Sequence, residues 1–219
     1  MVAKGEPWER PAAGPASWHV EGDDAALAAA VRDRRGARVG FRPDPGSDLA
    51  RALGLHSTGH GSFELGVDGL SVTADGRELF AVNMVVLGTA PDRARWLTRA
   101  RHFRVEVDGR TVHDGPATAV VVANGQYLRG EDLVPRGHPG DGRAEVQVHA
   151  VDRGQRAAVR RRLPQGVHVP HPDITQLTGR RVSVVAAKRP VSLEVDGVPL
   201  PAAGRVTVEV VPEAFLIVV

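Results

Sequence analysis

The chain of 219 residues contains no cysteine, which excludes a disulfide framework, a thiolate metal site and a cysteine nucleophile. Aromatic residues are scarce, at 4%, so the core must rest on Val, Leu and Ala. The same scarcity removes the stacking platform that single-stranded nucleic acids need, and no nucleic-acid partner is expected. Lysine stands only at Lys4 and Lys188, so arginine carries the basic charge. No stretch approaches the ~20 apolar residues that span a bilayer; the terminal run Ala214–Val219 is far too short. Residues 1–19 are polar and rich in Pro and Gly, without the apolar segment of a secretory signal. A cytoplasmic location is the expectation.

What is present is an ordinary apolar content of 42%, enough for one large or two small domains. Net charge is only +2, with arginine concentrated at Arg156, Arg160–Arg162, Arg180–Arg181 and Lys188–Arg189. Such runs ordinarily form a solvated face. The alternative is peripheral contact with an anionic membrane, where each basic residue near the surface contributes ~1 kcal/mol.

The most informative stretch is Phe41-Arg-Pro-Asp-Pro-Gly-Ser-Asp-Leu-Ala-Arg-Ala-Leu-Gly-Leu55. Ala37–Phe41 reads as a short strand. Two prolines then fix φ in a turn, and Gly46 can supply a positive one. Ser47 or Asp48 suits a helix N-cap, Leu49, Ala50, Ala52 and Leu53 follow at helical spacing, and Gly54 is a natural stop. Strand, turn and helix start place several amides around one point, where an anion would sit. A second strand–turn–helix precedes it: Trp18–Val20, then Glu21-Gly-Asp-Asp24, then a helix over Ala25–Arg35.

From about residue 60 the texture changes to many short apolar runs separated by turn residues, the pattern of a β-sandwich. Phe63–Val67, Gly69–Thr73 and Glu78–Val82 are divided by Asp68-Gly69 and Asp75-Gly76. Arg104–Val112 alternates on either side of Asp108-Gly109, the signature of a type I′ hairpin. Ala117–Ala123, Ala144–Val151, Arg181–Ala187, Val191–Val195 and Arg205–Val211 continue the strands, and Pro91–Ala100 alone reads as helical.

These pieces together resemble the diacylglycerol kinase and sphingosine kinase family. Gly46, Asp48, Ala50, Arg51, Leu53 and Gly54 fit its segment Pro-x-Gly-Thr-x-Asn-Asp-Φ-Ala-Arg-x-Leu-Gly, with Asp44 and Pro45 in place of Gly-Thr and Ser47 in place of Asn. Gly22 and Asp23 fit its Gly-Gly-Asp-Gly-Thr, with Glu21, Asp24 and Ala25 at the first Gly, the last Gly and the Thr. Leu79–Asn83 with Gly88, Val121–Tyr127, Pro135 with Asp141–Val146, and Lys188–Val198 are similar to its later segments. The family's opening strand and Asn-Pro turn have no counterpart ahead of Trp18, so a partner chain or a second copy is one way to complete the lobe.

The resemblance implies a reduced α/β nucleotide lobe over 18–58, after a flexible leader over 1–17, and an antiparallel β-sandwich over 59–219 whose last strand returns to the first lobe. It implies ATP and Mg²⁺ as cofactors and phosphorylation of a lipid hydroxyl. Gly22, Asp23, Gly46, Ser47 and Asp48 would hold the nucleotide, and Asp141 and Glu145 a divalent cation, for which hard oxygens are suited. Asp196, in the position of the family's Asp-Gly-Glu aspartate, would be the base, with Val198 where the Glu stands. Carboxylates in phosphate-facing turns repel phosphate, and proline removes an amide donor. A non-catalytic module that binds a lipid, a nucleotide or a partner is the alternative.

The remaining residue types carry less. Asn83 and Asn124 are expected to satisfy local backbone groups at strand ends. His168 and His171 lack a third ligand at zinc spacing. Ser57, Thr58 and Ser62, near His56 and His60, lack the strained elbow of a nucleophilic hydrolase.

Overall fold

A computed structural model describes residues 9–55 and 63–219; His56, Ser57, Thr58, His60 and Ser62 lie outside the described residues. In chain order the elements are β1 (Glu9–Pro11), β2 (Trp18–Gly22), α1 (Asp24–Val31), β3 (Ala37–Pro43) and α2 (Asp48–Leu53). Next come β4 (Phe63–Ala74), β5 (Arg77–Ala81), β6 (Met84–Gly88), β7 (Arg101–Val107), β8 (Arg110–Ala117), β9 (Ala119–Ala123), β10 (Tyr127–Leu128) and β11 (Glu131–Asp132). Then follow β12 (Ala144–His149), α3 (Arg156–Arg162), β13 (Ile174–Gly179), β14 (Arg181–Ala186), β15 (Val191–Val195), β16 (Val198–Ala203) and β17 (Arg205–Val218).

Two mainly antiparallel sheets form the sandwich. One is six-stranded in the order β13-β12-β9-β6-β15-β16. The other is nine-stranded, running β1-β4-β17-β14-β7-β8, with β5 on β4 and the pair β3-β2 on β17. Inward positions alternate as a two-faced sheet demands. Leu70, Val72, Phe103, Val105, Val182, Val184, Val206 and Val208 of one sheet meet Val85, Leu87, Val120, Val122, Val146, Val148 and Leu193 of the other. A second cluster, with Leu27, Val31, Val39, Phe41, Leu49 and Phe215, packs α1 and α2 on the parallel strands. β17 joins the two clusters: its first half pairs with β14 and β4, and Phe215–Val218 run parallel to Ala37–Gly40 of β3.

Four expectations are corrected. Asp68-Gly69 is no turn: β4 runs through it unbroken for twelve residues. Asp68 is fully buried, and its carboxylate accepts from Gly142 N (2.6 Å) and from Glu213 N (2.8 Å) at the register shift of β17. Gly69 serves close packing, since a Cβ there would lie 2.2 Å from the Phe80 ring. The expected leader contributes β1, which pairs with β4. Arg10 and Arg38 both bond the buried Glu64 at 2.9 Å; burial pushes that carboxyl up, and the two guanidinium groups more than reverse it.

The helix expected over Pro91–Ala100 is a succession of turns, and a helix forms instead at the basic run of α3. Arg156 is the reason. It is buried, and its Nη1 takes the carbonyls of Arg95 (3.2 Å), Trp96 (3.4 Å) and Thr98 (2.6 Å), the first two of which a helix over 91–100 would have spent on its own amides. Gly46 lies outside the left-handed region, so the turn before α2 rests on its prolines.

Candidate functional site

The two strand–turn–helix segments deliver their helix starts to one point beside the mouth of the sandwich. Asp23 caps α1, its Oδ1 accepting from Ala26 N at 2.9 Å. Gly22 ends β2 with φ +133, and a Cβ there would lie 2.9 Å from the Ala26 Cβ, so glycine is required for α1 to leave the strand so sharply. Ser47 caps α2, its Oγ accepting from Ala50 N at 3.1 Å, and Gly54 closes that helix in the left-handed region.

The centre of the site is Asp24, the first residue of α1. Its carboxylate accepts Ser47 Oγ–H at 2.6 Å, Leu49 N–H at 3.0 and 3.2 Å, and Asn83 Nδ2–H at 2.9 Å. The amide and hydroxyl at the start of α2, the position expected to face an anion, thus face an anion supplied by the chain itself. Burial raises the Asp24 carboxyl to about 6, the nearby Asp48 adds to the rise, and the hydrogen bonds oppose it.

Asp48 does not turn toward the same point. Its oxygens accept Arg129 N–H and, at 2.8 Å, Gly130 N–H. Arg129, at φ +52, is fixed by a bidentate pair with Asp92 (2.8 and 2.9 Å) and by an ion pair with Glu194. Asp48 therefore ties α2 to the turn after β10.

Asp196 lies at the β15–β16 hairpin, nine-tenths buried. It accepts three amides in succession: Val82 N on Oδ2 at 2.8 Å, and Asn83 N and Met84 N on Oδ1 at 2.9 and 2.8 Å. Burial pushes its pKa up to about 7; Asp24 adds to the rise and the amides oppose it. Asn83 connects the two carboxylates, with its backbone on Asp196 and its side chain on Asp24 and the Tyr127 carbonyl. Asn124 is fully buried and donates to the carbonyls of Asp68 and Val82, both at 2.8 Å. Both asparagines thus bridge distant strands instead of satisfying local backbone.

Beside Asp196 an apolar pocket of about 210 Å³ opens between α1, β5 and the β15–β16 hairpin, lined by Ala25, Ala28, Leu79, Phe80, Val198 and Leu200 among others. A separate cleft of about 510 Å³ borders Pro43, Asp44, Pro45, Ser47 and Arg51.

Asp141 and Glu145 form a separate acidic locus. Asp141 Oδ1 accepts Arg143 N at 2.9 Å, in an Asx-type turn. Burial raises the Glu145 carboxyl to about 7, and Asp141 contributes to the rise. Among the described residues no group of three or more His, Asp or Glu side chains converges as metal ligands. No helix among them is long and apolar enough to cross a membrane.

Asp24, Ser47, Asn83 and Asp196 are therefore brought together, with Asp48, Gly22 and Asp23 at the edge as structural supports; Gly46 is exposed. Asp24 is the site residue that the sequence did not mark. Its one signal is that it stands where the resembling motif ends in glycine.

A sandwich of two unequal sheets, fed by a parallel α/β segment whose motif residues meet at the mouth, defines the NAD kinase-like class that lipid kinases share. The chain belongs to the family described as the YegS C-terminal NAD kinase beta sandwich-like domain, which matches residues 61–219. It is similar to a diacylglycerol kinase from Bacillus anthracis str. Sterne, with TM-score 0.70 and 16% identity over 91% of this chain and 75% of that one. It is also similar to the yeast NADH kinase complexed with NADH, with TM-score 0.54, 13% identity, and 91% and 60% coverage. A third likeness is to an NAD kinase from Archaeoglobus fulgidus in complex with ATP, with TM-score 0.52, 12% identity, and 94% and 82% coverage. No curated protein matches the chain.

Proposed function

We propose that this chain is a non-catalytic member of the lipid-kinase fold, a module that binds an apolar lipid and does not transfer phosphate. One observation carries the reading: the Asp24 carboxylate occupies the Leu49 amide and the Ser47 hydroxyl at the start of α2. An ATP phosphate entering there would displace a buried, hydrogen-bonded carboxylate and meet its charge. ATP and Mg²⁺ do not fit the residues present. Asp23 Oδ1 and both Asp48 oxygens are engaged by amides, Gly22 is packed against Ala26, and among the described residues no third His, Asp or Glu joins Asp141 and Glu145 as a ligand set. The pocket beside Asp196 supports a lipid, since its walls are mainly Ala, Leu, Phe and Val.

A second reading, a working lipid kinase, has its own support. Two neighbouring carboxyls with pKa values of about 6 and about 7 are tuned to the range where general acid–base chemistry is effective. Thermal unfolding separates the two readings, because a ligand of the native state raises its stability by mass action. A rise with diacylglycerol micelles and none with ATP-Mg²⁺ is expected. A rise with ATP-Mg²⁺ contradicts the exclusion of nucleotide and calls for phosphotransfer assays on the wild type and Asp196→Asn, in which activity lost in the variant overturns the non-catalytic reading. No rise with either contradicts the lipid assignment and leaves a partner chain as the ligand.

A further inference from the structure

The turn between β6 and β7 carries the two most exposed large apolar side chains among the described residues, Trp96 at 66% and Leu97 at 68%. Loose chain does not account for this exposure. Below them Ala94 is buried, and Arg95 N bonds Thr98 Oγ1 at 2.9 Å while Thr98 N returns to the Arg95 carbonyl at 3.0 Å. From the opposite side Arg156 holds three consecutive-turn carbonyls, and its Nε anchors to the Val151 carbonyl at 3.0 Å. The backbone is therefore fixed in a shape that points a Trp–Leu pair outward, and a pocket of about 220 Å³ separates the pair from Ala157 and Arg160 of α3.

Arginines predominate around the turn, with Asp92 held by Arg129 and Asp152 beside Arg156. Among the described residues no ion pair engages Arg95, Arg99, Arg153, Arg160, Arg161 or Arg162. Arg99 also lines, with Arg101, Thr89 and Ser192, a polar cleft of about 270 Å³ on the flank of the turn. An amphipathic indole beside a leucine, with Arg95 and Arg160 lining the pocket next to it and Arg99 on the flank, is suited to the headgroup region of a bilayer, where tryptophan settles at the interface and arginine meets anionic lipid.

We infer that the Trp96–Leu97 turn and the arginines of α3 form a docking surface for an anionic membrane. This goes beyond the proposed lipid module and does not rest on it, because its test needs neither a ligand in the Asp196 pocket nor nucleotide. The full chain is sedimented with phosphatidylglycerol-containing vesicles and with pure phosphatidylcholine vesicles. Binding is expected to the anionic vesicles only and to weaken with salt. Trp96→Ser/Leu97→Ser is expected to weaken it at least tenfold with an unchanged unfolding temperature, and Arg161→Glu/Arg162→Glu to do the same. In a Trp8→Phe/Trp18→Phe background, the emission of Trp96 should shift to the blue on binding. Equal binding to both vesicles, binding that both double variants leave intact, or an unshifted Trp96 each overturn the inference. No binding to either vesicle also overturns it, and leaves an acidic protein face as the partner of the patch.

Discussion

Three Asp-Gly hairpins in this protein are nearly the same object. At Asp75-Gly76, Asp108-Gly109 and Asp196-Gly197 the aspartate has φ of 46, 47 and 46° and the glycine 81, 80 and 78°. In each, the aspartate amide donates to the first residue of a third strand: Arg205, Arg181 and Met84. Each carboxylate also accepts the amides of that residue and of the one before it. Local sequence thus builds the same clip three times. The surroundings differ. Asp75 and Asp108 are exposed, and their backbone hydrogen bonds hold them below the usual carboxylate range. Asp196 is buried beside Asp24 with a third amide from Val82, and burial lifts it to about 7. A hairpin clip becomes a candidate catalytic group chiefly through desolvation, with Asp24 adding to the rise, on the same local backbone geometry.

Breaking the clips should separate them by effect. Asp196→Ala strands three buried amides, each lost acceptor costing about 1–3 kcal/mol, so denaturant unfolding should register a loss of about 3 kcal/mol or more. Another Asp-Gly pair, Asp68-Gly69 inside β4, offers a different contrast. Gly69→Ala drives a methyl into the Phe80 ring and should cost about 1–3 kcal/mol. At Gly109, which has open space, Ala meets only the strain of a positive φ, about 1 kcal/mol.

The opposite pKa shifts give opposite pH dependences. The folded state holds a proton on Asp196 up to about 7, against 3.8 for a free aspartate carboxyl. The stability of the wild type relative to Asp196→Asn is therefore fullest below pH 3.8 and falls as pH rises through about 7, by at most about 1.4 kcal/mol per pH unit. For Asp108, whose folded pKa is lowered, the advantage over Asp108→Asn is present above pH 3.8 and lost below it. Equal slopes in the two pairs would refute the desolvation account. The smallest effect belongs to Asp108→Ala: its amides are exposed and can turn to water, so the loss should stay below about 1 kcal/mol.

Much of the scaffold was legible in the sequence because its signals are local. Ser47 and Gly54 mark both ends of α2, and Asp108-Gly109 sets a hairpin turn, whose register holds for two pairs before a bulge between Val105 and Glu106 shifts it. What escaped depends on partners far along the chain. Asp68-Gly69 carries the same letters as a hairpin but is overridden by Gly142 and Glu213, 74 and 145 residues away. Pro91–Ala100 has helical composition, but its carbonyls are claimed by Arg156, some 60 residues on. β17 continues past its bulge because Phe215–Val218 find β3. The site was half legible: its segments were visible, while the role of Asp24 depends on Leu49 and Asn83, 25 and 59 residues away. Within its own segment only its place at the motif's last glycine distinguishes it from the cap Asp23.

The central claim is that an internal carboxylate occupies the place of a nucleotide phosphate. Calorimetric titration of ATP-Mg²⁺ into the wild type, Asp24→Asn and Asp24→Gly tests it most directly. The account predicts no measurable binding to the wild type and a gain in both variants. Tight binding to the wild type that neither substitution improves would contradict it.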